Sequence, residues 1–222
     1  KERARRESTD KLKRGVGVIC GGYTSGMNGD MAQVELELNP DGSVTNYCAW
    51  PDMGQGADYG ALIHTYEALR PLGLRLDQIH LVMNDTNKNL PHGPAAGSRS
   101  HMVNAQATKN AAEQLLKAMR RPDRGYYSYD EMVERGIPTK YIGAYHAEGG
   151  GPQIDPDTGY GDPTREFMYL CGFAEVEVDV ETGKCRCLGQ TLVSDVGVLG
   201  SKLSVEGQAY GGISHTIGYA LT

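Results

Sequence analysis

The sequence predicts a mixed α+β fold, in which antiparallel hairpin sheets pack with helices. Three observations favour this class. Segments with alternating apolar and polar residues occur in pairs joined by turn signals, and a long segment carries apolar residues at helical spacing. Strand and helix patterns do not alternate regularly along the chain, as they would in a parallel α/β sheet.

Seven segments have the composition of strands. Residues 31–39 alternate between apolar and polar side chains, and Pro40-Asp41-Gly42 is a turn signal that joins them to the second arm of a hairpin. A second hairpin has its turn at Glu181-Thr182-Gly183. Residues 15–23 are apolar and glycine-rich without alternation, which is typical of a buried strand. In chain order the predicted strands are residues 15–23, 31–39, 44–50, 79–83, 137–145, 167–180 and 185–193.

Five segments are predicted to be helical. The longest has Val103, Ala107 and Ala111 along one face, and Ser98 can cap its start. A shorter helix has Ser128 as its cap, with Glu131 three residues later as in a capping box. In chain order the predicted helices are residues 1–14, as the charged end of a longer helix, and 57–72, 98–119, 126–135 and 205–221.

Length and charge restrict the class of protein. The chain has 222 residues and a net charge of −6, which fits one large domain or two small ones and argues against nonspecific nucleic-acid binding. No apolar run approaches the roughly 20 residues of a membrane span. We therefore expect a soluble, cytoplasmic protein without a membrane partner. The Gly-, Pro- and Asp-rich residues 148–163 predict a long loop, and a seam between two lobes is expected near residues 148–166.

Cysteine and histidine give weak signals. Five cysteines are present, and Cys185 and Cys187 fall on one face of a predicted strand. Reduced thiols are favoured there, with a metal site or disulfide as the less favoured alternatives. The six histidines are dispersed along the sequence, which favours structural or surface positions for each of them.

Glycine gives the strongest signal for a site. Among 30 glycines, three clusters adjoin predicted helices, at residues 53–57, 93–100 and 207–212. A helix N-terminus presents unpaired N–H groups and a partial positive charge, so it suits phosphate, and glycine lets the backbone approach that anion. The hydroxyls of Ser98 and Ser100 and the guanidinium of Arg99 add donors at the same place. For each cluster alone, tight turns and close helix packing remain the alternative.

These motifs resemble those of the molybdenum hydroxylase family, which includes xanthine dehydrogenases and aldehyde oxidoreductases. The resemblance rests on Asp52-Met53-Gly54-Gln55-Gly56 before a helix, on residues 93–100 before the long helix, and on Glu206-Gly207-Gln208 with the glycines that follow. It extends over residues 1–222. The chain looks most like the molybdopterin-binding region of bacterial aldehyde oxidoreductases, which implies a molybdenum cofactor in the cytosine dinucleotide form.

The resemblance also implies residue roles. The first motif would lie beside the pterin and the metal ligands, with the Gln55 amide donating a hydrogen bond. Residues 98–103, at the start of the long helix, would surround the phosphates of the dinucleotide. Residues 207–211 would meet the cofactor from another side, and His215 would reach the pterin. Molybdenum itself would be held by the dithiolene of the pterin, with no direct protein ligand. The implied cofactor-binding residues are Met53, Gly54, Gln55, Gly56, Ala57, Ser98, Arg99, Ser100, His101, Met102, Val103, Gly207, Gln208, Ala209, Tyr210, Gly211 and His215.

Departures from the family set further expectations. The family's large subunits are several times longer, so the chain is expected to be a fragment that is inactive alone. The general base, a glutamate, would lie beyond Thr222, and no catalytic residue is assigned within the chain. His215 stands where the family usually has glutamine. The parent would oxidise an aldehyde or heterocycle and pass electrons to iron–sulfur clusters on other domains or subunits, and a homodimer is compatible with it.

Two other functions are carried as alternatives. A relative that has lost the cofactor would be a binding module without redox chemistry, and His215 favours this. A phosphate-ester hydrolase could use the glycine loops to hold an anion. Gln55 and the serines at 98 and 100 favour the hydroxylase over the first alternative.

Overall fold

The computed structural model describes residues 2–27, 29–148, 154–162, 164 and 166–222, and it divides into two compact units. The central unit is Thr24–Glu166, and the terminal unit combines Lys1–Tyr23 with Phe167–Thr222. The predicted long loop includes residues 149–153 and 163, which lie outside the described residues. The seam near residues 148–166 therefore stays a prediction.

The elements confirm the predicted α+β class. The helices are α1 (Glu2–Arg6), α2 (Ala57–Ala68), α3 (Ser100–Met119), α4 (Tyr129–Glu134) and α5 (Lys202–Leu221). The strands are β1 (Leu12–Ser25), β2 (Met31–Leu38), β3 (Val44–Cys48), β4 (Ile79–Met83), β5 (Lys140–His146), β6 (Glu166–Asp179) and β7 (Cys185–Asp195). Among the described residues, no helix combines the length and the apolar character needed to cross a bilayer.

The central unit contains a four-stranded sheet in the order β4-β3-β2-β5. Strands β2 and β3 form the predicted antiparallel hairpin, and β5 pairs antiparallel to the other edge of β2. Strand β4 pairs parallel to β3, with α2 as the crossover between them. The sheet therefore combines the predicted antiparallel hairpin with one parallel edge strand, β4. A five-residue strand carries too little pattern to indicate the direction of its pairing.

Helix α3 packs across β2 and β5 and encloses the core of the central unit. Side chains along β2 alternate between half-buried and buried, with Val34 and Leu36 fully buried. On the facing side of α3, Ala107 and Ala111 are fully buried. The close packing needs Gly143 on β5, because a Cβ there would lie 2.0 Å from the Ala107 carbonyl oxygen.

Two helix ends in the central unit differ from the prediction. Helix α2 ends at Ala68, and a 3₁₀ turn at Arg70–Leu72 follows, since Pro71 cannot continue the α-helical hydrogen bonds. Ser98 does not cap α3: the helix begins after Arg99 without any side-chain cap. Ser98 instead has φ +56°, in the left-handed region, where its backbone turns into the helix. The predicted capping box of α4 between Ser128 and Glu131 is confirmed.

The terminal unit contains a three-stranded sheet in the order β1-β6-β7, with the predicted hairpin between β6 and β7. The prediction of a buried strand at residues 15–23 was wrong: β1 forms there, but its side chains are mostly exposed, because it is an edge strand of a small sheet. Helix α1 is also shorter than predicted. Arg14 lies in β1, where its guanidinium Nε is 2.9 Å from Glu177 of β6.

Candidate functional site

The loop before α2 supplies a hydrogen-bond acceptor to the backbone amides at the start of that helix. Asp52 Oδ1 accepts hydrogen bonds from the amides of Gly54 and Gly56, at 2.7 and 3.3 Å, and Oδ2 accepts from the amide of Asp58 at 3.0 Å. These N–H groups, with that of Asp58 first, lower the pKa of the Asp52 carboxyl group. A carboxylate of the chain thus occupies the position that an external anion would need at this helix N-terminus.

Gln55 belongs to the same loop and is held by it. Its Oε1 accepts from the Met53 amide at 2.6 Å, and its Nε2 donates to the Pro51 carbonyl at 2.8 Å. An amide nitrogen carries two hydrogens, so one N–H of Gln55 is left over for another acceptor. Met53 is 72% exposed beside it. The loop therefore presents a fixed amide donor and an exposed thioether.

The start of α3 is arranged differently. The preceding loop is fixed through its carbonyl groups: Gly97 O accepts from the Gly26 amide at 2.7 Å, and Ser98 O accepts from the Ser25 hydroxyl at 2.8 Å. Within the described part of the chain, no acceptor faces the backbone amides of Ser100, His101 and Met102. With respect to the described residues, this helix N-terminus therefore retains three N–H donors that have no protein acceptor.

Arg99 shapes this loop from inside the protein. Its side chain is only 5% exposed, and its guanidinium donates to the carbonyls of His92 and Pro94, at 3.0 and 2.8 Å, and to that of Met31. Its Nε lies 2.8 Å from Asp30 Oδ1, which balances the buried charge. Arg99 thus holds the loop in place through three backbone carbonyls and an ion pair with Asp30.

An aromatic cluster lies next to both helix starts. The Trp50 ring stacks on His64 at 5.8 Å and on His92 at 6.4 Å between centroids, and His101 meets it edge-on at 6.2 Å. This cluster could not be predicted from the sequence, because residues far apart in the sequence contribute to it and no spacing indicates it. Gly60 of α2 leaves the room that the indole needs, since a Cβ there would come within 2.8 Å of the ring.

The cluster is neutral at physiological pH. Burial lowers the pKa of His64 and of His92 to about 4. Asn104 links His64 to Cys48: its Oδ1 lies 2.9 Å from His64 Nδ1, and its Nδ2 donates to the Cys48 sulfur at 2.8 Å. Burial raises the pKa of Cys48 to about 11, so the sulfur keeps its proton and does not serve as a thiolate ligand.

The third glycine motif lies in the terminal unit. Residues 207–212 fall inside α5, whose start at Lys202 is capped by the Ser201 hydroxyl. They provide no helix N-terminus of their own. His215 Nδ1 lies 3.0 Å from the Gly211 carbonyl one turn earlier in the same helix. Throughout the described residues, no three His, Cys, Asp or Glu side chains are grouped so that they could hold a metal ion.

A phosphate group fits the start of α3. The three free amides point to an anion, the hydroxyl of exposed Ser98 lies beside them, and glycines with positive φ precede them at Gly93 and Gly97. Gly93 is needed there, because a Cβ would come within 3.0 Å of the Arg99 guanidinium. Fold and site together define an α+β domain in which, as far as the described residues show, the start of α3 is an open helix N-terminus of the kind that binds phosphate groups.

Comparison with known proteins places this domain in a family. The sequence profile of the molybdopterin cofactor-binding domain matches residues 1–222. Over all 222 residues, the present chain is 42% identical to the aldehyde oxidoreductase of Megalodesulfovibrio gigas, of which it covers 24%. It is 25% identical to a xanthine dehydrogenase molybdenum-binding subunit of Escherichia coli O157:H7, over 95% of this chain and 30% of that protein. This chain belongs to the molybdopterin cofactor-binding domain family.

A solved structure agrees with this assignment. The aldehyde oxidoreductase of Desulfovibrio desulfuricans ATCC 27774 superposes with a TM-score of 0.91 at 43% identity, over 98% of this chain and 24% of that one. The present chain spans about a quarter of the length of these aldehyde oxidoreductases, since it also covers 24% of the Megalodesulfovibrio gigas protein. The resemblance proposed from the glycine motifs is confirmed.

Proposed function

We propose that this chain forms part of the cofactor-binding wall of a molybdenum-dependent oxidoreductase of the aldehyde oxidoreductase type. The parent would hydroxylate an aldehyde or heterocycle with oxygen from water. Family membership and 42% identity to an aldehyde oxidoreductase support this proposal. When bound, the molybdenum cofactor supplies the two-electron redox chemistry. The residues of this chain bind and orient it.

One observation carries the proposed binding mode: the start of α3 is open, whereas the start of α2 is closed by Asp52. The free amides of residues 100–102, with the hydroxyl of Ser98, would hold a phosphate of the cofactor. The Ser100 hydroxyl is directed at the Pro94 carbonyl, 3.5 Å away, and supports the loop. Arg99 would act on the ligand only through the loop that it fixes to Met31, His92 and Pro94. In a dinucleotide form, with cytidine at its end, the cofactor would carry a diphosphate, and these donors would bind it.

Gln55 would have a separate role near the metal ligands. Its Oε1 and one N–H are engaged by Met53 and Pro51, so the remaining N–H has a fixed direction. A fixed donor needs no reorganisation when it meets its acceptor, and this makes the hydrogen bond more effective in a reaction. We propose that Gln55 donates this hydrogen to a ligand of molybdenum.

The remaining proposals concern the rest of the parent. The general base would be a glutamate beyond Thr222, and iron–sulfur clusters on other domains or subunits would accept the electrons. The chain alone would then be inactive. A cytoplasmic location and a homodimeric parent complete the proposal.

The nucleotide form can be tested in the complete oxidoreductase. Acid release of the bound cofactor, followed by nucleotide chromatography and molybdenum analysis, should give cytidine monophosphate and molybdenum in equal amounts. Molybdenum without a nucleotide would contradict the dinucleotide form. A purified protein with neither would support the alternative of a cofactor-free binding module.

A further inference from the structure

Two cysteines of the terminal unit face each other across neighbouring strands. Cys20 on β1 and Cys171 on β6 have their sulfur atoms 3.2 Å apart, and both are free thiols. Cys20 is exposed and Cys171 is half-buried. No step of the proposed cofactor binding uses either residue. The pair is therefore a candidate site in its own right.

The strand register brings the two residues opposite each other. A Cβ on Gly22 would lie 3.3 Å from the Met168 carbonyl, and a Cβ on Gly172 would lie 3.3 Å from the Ile19 side chain. Residue numbers along β1 therefore rise as those of the facing residues on β6 fall. This antiparallel register places Cys20 directly across from Cys171. Directly opposed residues of antiparallel strands have Cα atoms roughly 4.5–5.5 Å apart, within the range that a disulfide spans.

We propose that Cys20 and Cys171 form a reversible cross-strand disulfide by exchange with a small disulfide such as oxidised glutathione. The sulfur of one cysteine attacks the glutathione disulfide, whose S–S bond breaks, and one glutathione leaves with the electron pair. The second cysteine then attacks the mixed disulfide and releases the second glutathione. Two cysteine thiols are oxidised, one disulfide is reduced to two thiols, and the two thiol protons pass to the leaving glutathione sulfurs.

The hydrogen bond between the thiols indicates the order of attack. Hydrogen bonding with Cys20 raises the pKa of Cys171, which disfavours the Cys171 thiolate and makes Cys171 the less ready first attacker. The greater exposure of Cys20 also favours it as the sulfur that first meets glutathione.

The disulfide would join the two separate segments of the terminal unit. Cys20 lies in Lys1–Tyr23 and Cys171 lies in Phe167–Thr222, with the whole central unit between them in sequence. A crosslink that closes so long a loop restricts the unfolded chain strongly. The oxidised protein should therefore keep β1 paired to β6 under conditions in which the reduced protein loses this edge strand.

Oxidation, alkylation and peptide mapping of the full chain test the proposal. After exposure to oxidised glutathione, the wild-type protein should lose two alkylatable thiols and two hydrogen atoms of mass, and a Cys20 peptide should be linked to a Cys171 peptide until dithiothreitol is added. C20S and C171S should each lack this linked peptide. The double variant Cys185→Ser and Cys187→Ser should retain it.

Three results would overturn the proposal. The wild-type protein could keep both thiols alkylatable, or it could carry a separate glutathione on Cys20 and on Cys171. The linked peptides could also come from another pair, such as Cys185 and Cys187 on β7. Because mapping identifies the crosslink in the wild-type protein, the outcome does not depend on how well a serine variant folds.

Discussion

Asp52 Oδ2 accepts a hydrogen bond from the Asp58 amide at 3.0 Å, so the first turn of α2 is closed by a carboxylate of its own chain. The first turn of α3 has no such group among the described residues, and the amides of residues 100–102 stay free. Two glycine-rich loops that look equivalent in sequence therefore differ in what they can bind. On the proposed binding mode, the loop before α2 supports the site and the loop before α3 receives a phosphate.

Removal of the Asp52 carboxylate should destabilise α2. Asp52→Ala leaves the amides of Gly54, Gly56 and Asp58 without their acceptor, and we expect the free energy of unfolding to fall by about 1 kcal/mol, as for other lost helix caps. Urea unfolding at pH 7 measures this change. Asp77→Ala, which removes an exposed carboxylate paired with Arg75, is the matched control and should cost less than about 0.5 kcal/mol. Equal effects of the two variants would contradict the capping role.

A methyl group at position 143 should disrupt the packing of α3 on β5. The Cβ of Gly143→Ala would lie 2.0 Å from the Ala107 carbonyl oxygen and 2.3 Å from the Ala111 nitrogen, so the helix must shift. We expect a loss of about 3 kcal/mol or more in urea unfolding. Gly189→Ala on β7 is the control, because a Cβ there meets no atom within 4 Å. A Gly143→Ala protein as stable as this control would show that the helix does not pack this closely.

Acid should destabilise the central unit through His64 and His92. Both have a folded pKa of about 4 because of burial, below the roughly 6.5 of an unfolded histidine. Below pH 6.5 the unfolded chain therefore binds more protons, so stability is complete above this pH and falls as the pH drops toward 4. Between pH 7 and 5 we expect a loss of about 1–2 kcal/mol for each histidine. His64→Gln should flatten this dependence, and equal stability of the wild-type protein at both pH values would contradict it.

The local features of the fold could be predicted from sequence, and the long-range ones could not. The alternation along β2 and the capping box of Ser128 and Glu131 are encoded within a few residues, and both predictions are confirmed. The parallel pairing of β4 and the cluster around Trp50 depend on contacts between distant segments. The periodicity of apolar residues in the sequence does not indicate such contacts.

For the candidate site too, local features could be predicted from sequence and long-range contacts could not. The helix starts after the two glycine loops could be located from sequence, but the partners of Asp52 and Arg99 could not. An aspartate shortly before a helix is a capping signal that could have indicated the closed start of α2. Arg99 looked like a phosphate ligand because its surroundings were unknown. Its burial against three carbonyls follows only from the fold.

The donor of Gln55 should matter for turnover in the complete oxidoreductase. Gln55→Glu keeps an oxygen that can accept from the Met53 amide but removes the amide donor. We expect turnover to fall roughly ten- to a hundredfold, as for the loss of about 1–3 kcal/mol of transition-state stabilisation, with an unchanged molybdenum content. Gln106→Glu, which makes the same change at an exposed position of α3 outside the named site residues, should stay close to wild type. Wild-type kinetics in Gln55→Glu would remove Gln55 from the site.

His215 should have little influence on cofactor retention. Its ring is bonded to the Gly211 carbonyl of the same helix. His215→Gln in the complete oxidoreductase should keep the molybdenum content of the wild-type protein and a similar dependence of activity on pH. A changed pH profile would instead show that the imidazole reaches the cofactor.

Cofactor retention by a matched pair of variants at position 98 tests the central claim most directly. Asp and Asn both tolerate the left-handed backbone of Ser98, but Ser98→Asp adds a carboxylate beside the free amides of α3, whereas Ser98→Asn adds none. Molybdenum and released cytidine monophosphate should be measured per protein chain in the complete oxidoreductase. We predict that Ser98→Asn keeps most of the cofactor and that Ser98→Asp loses most of it. A Ser98→Asp protein with the wild-type content of both would contradict phosphate binding at the start of α3.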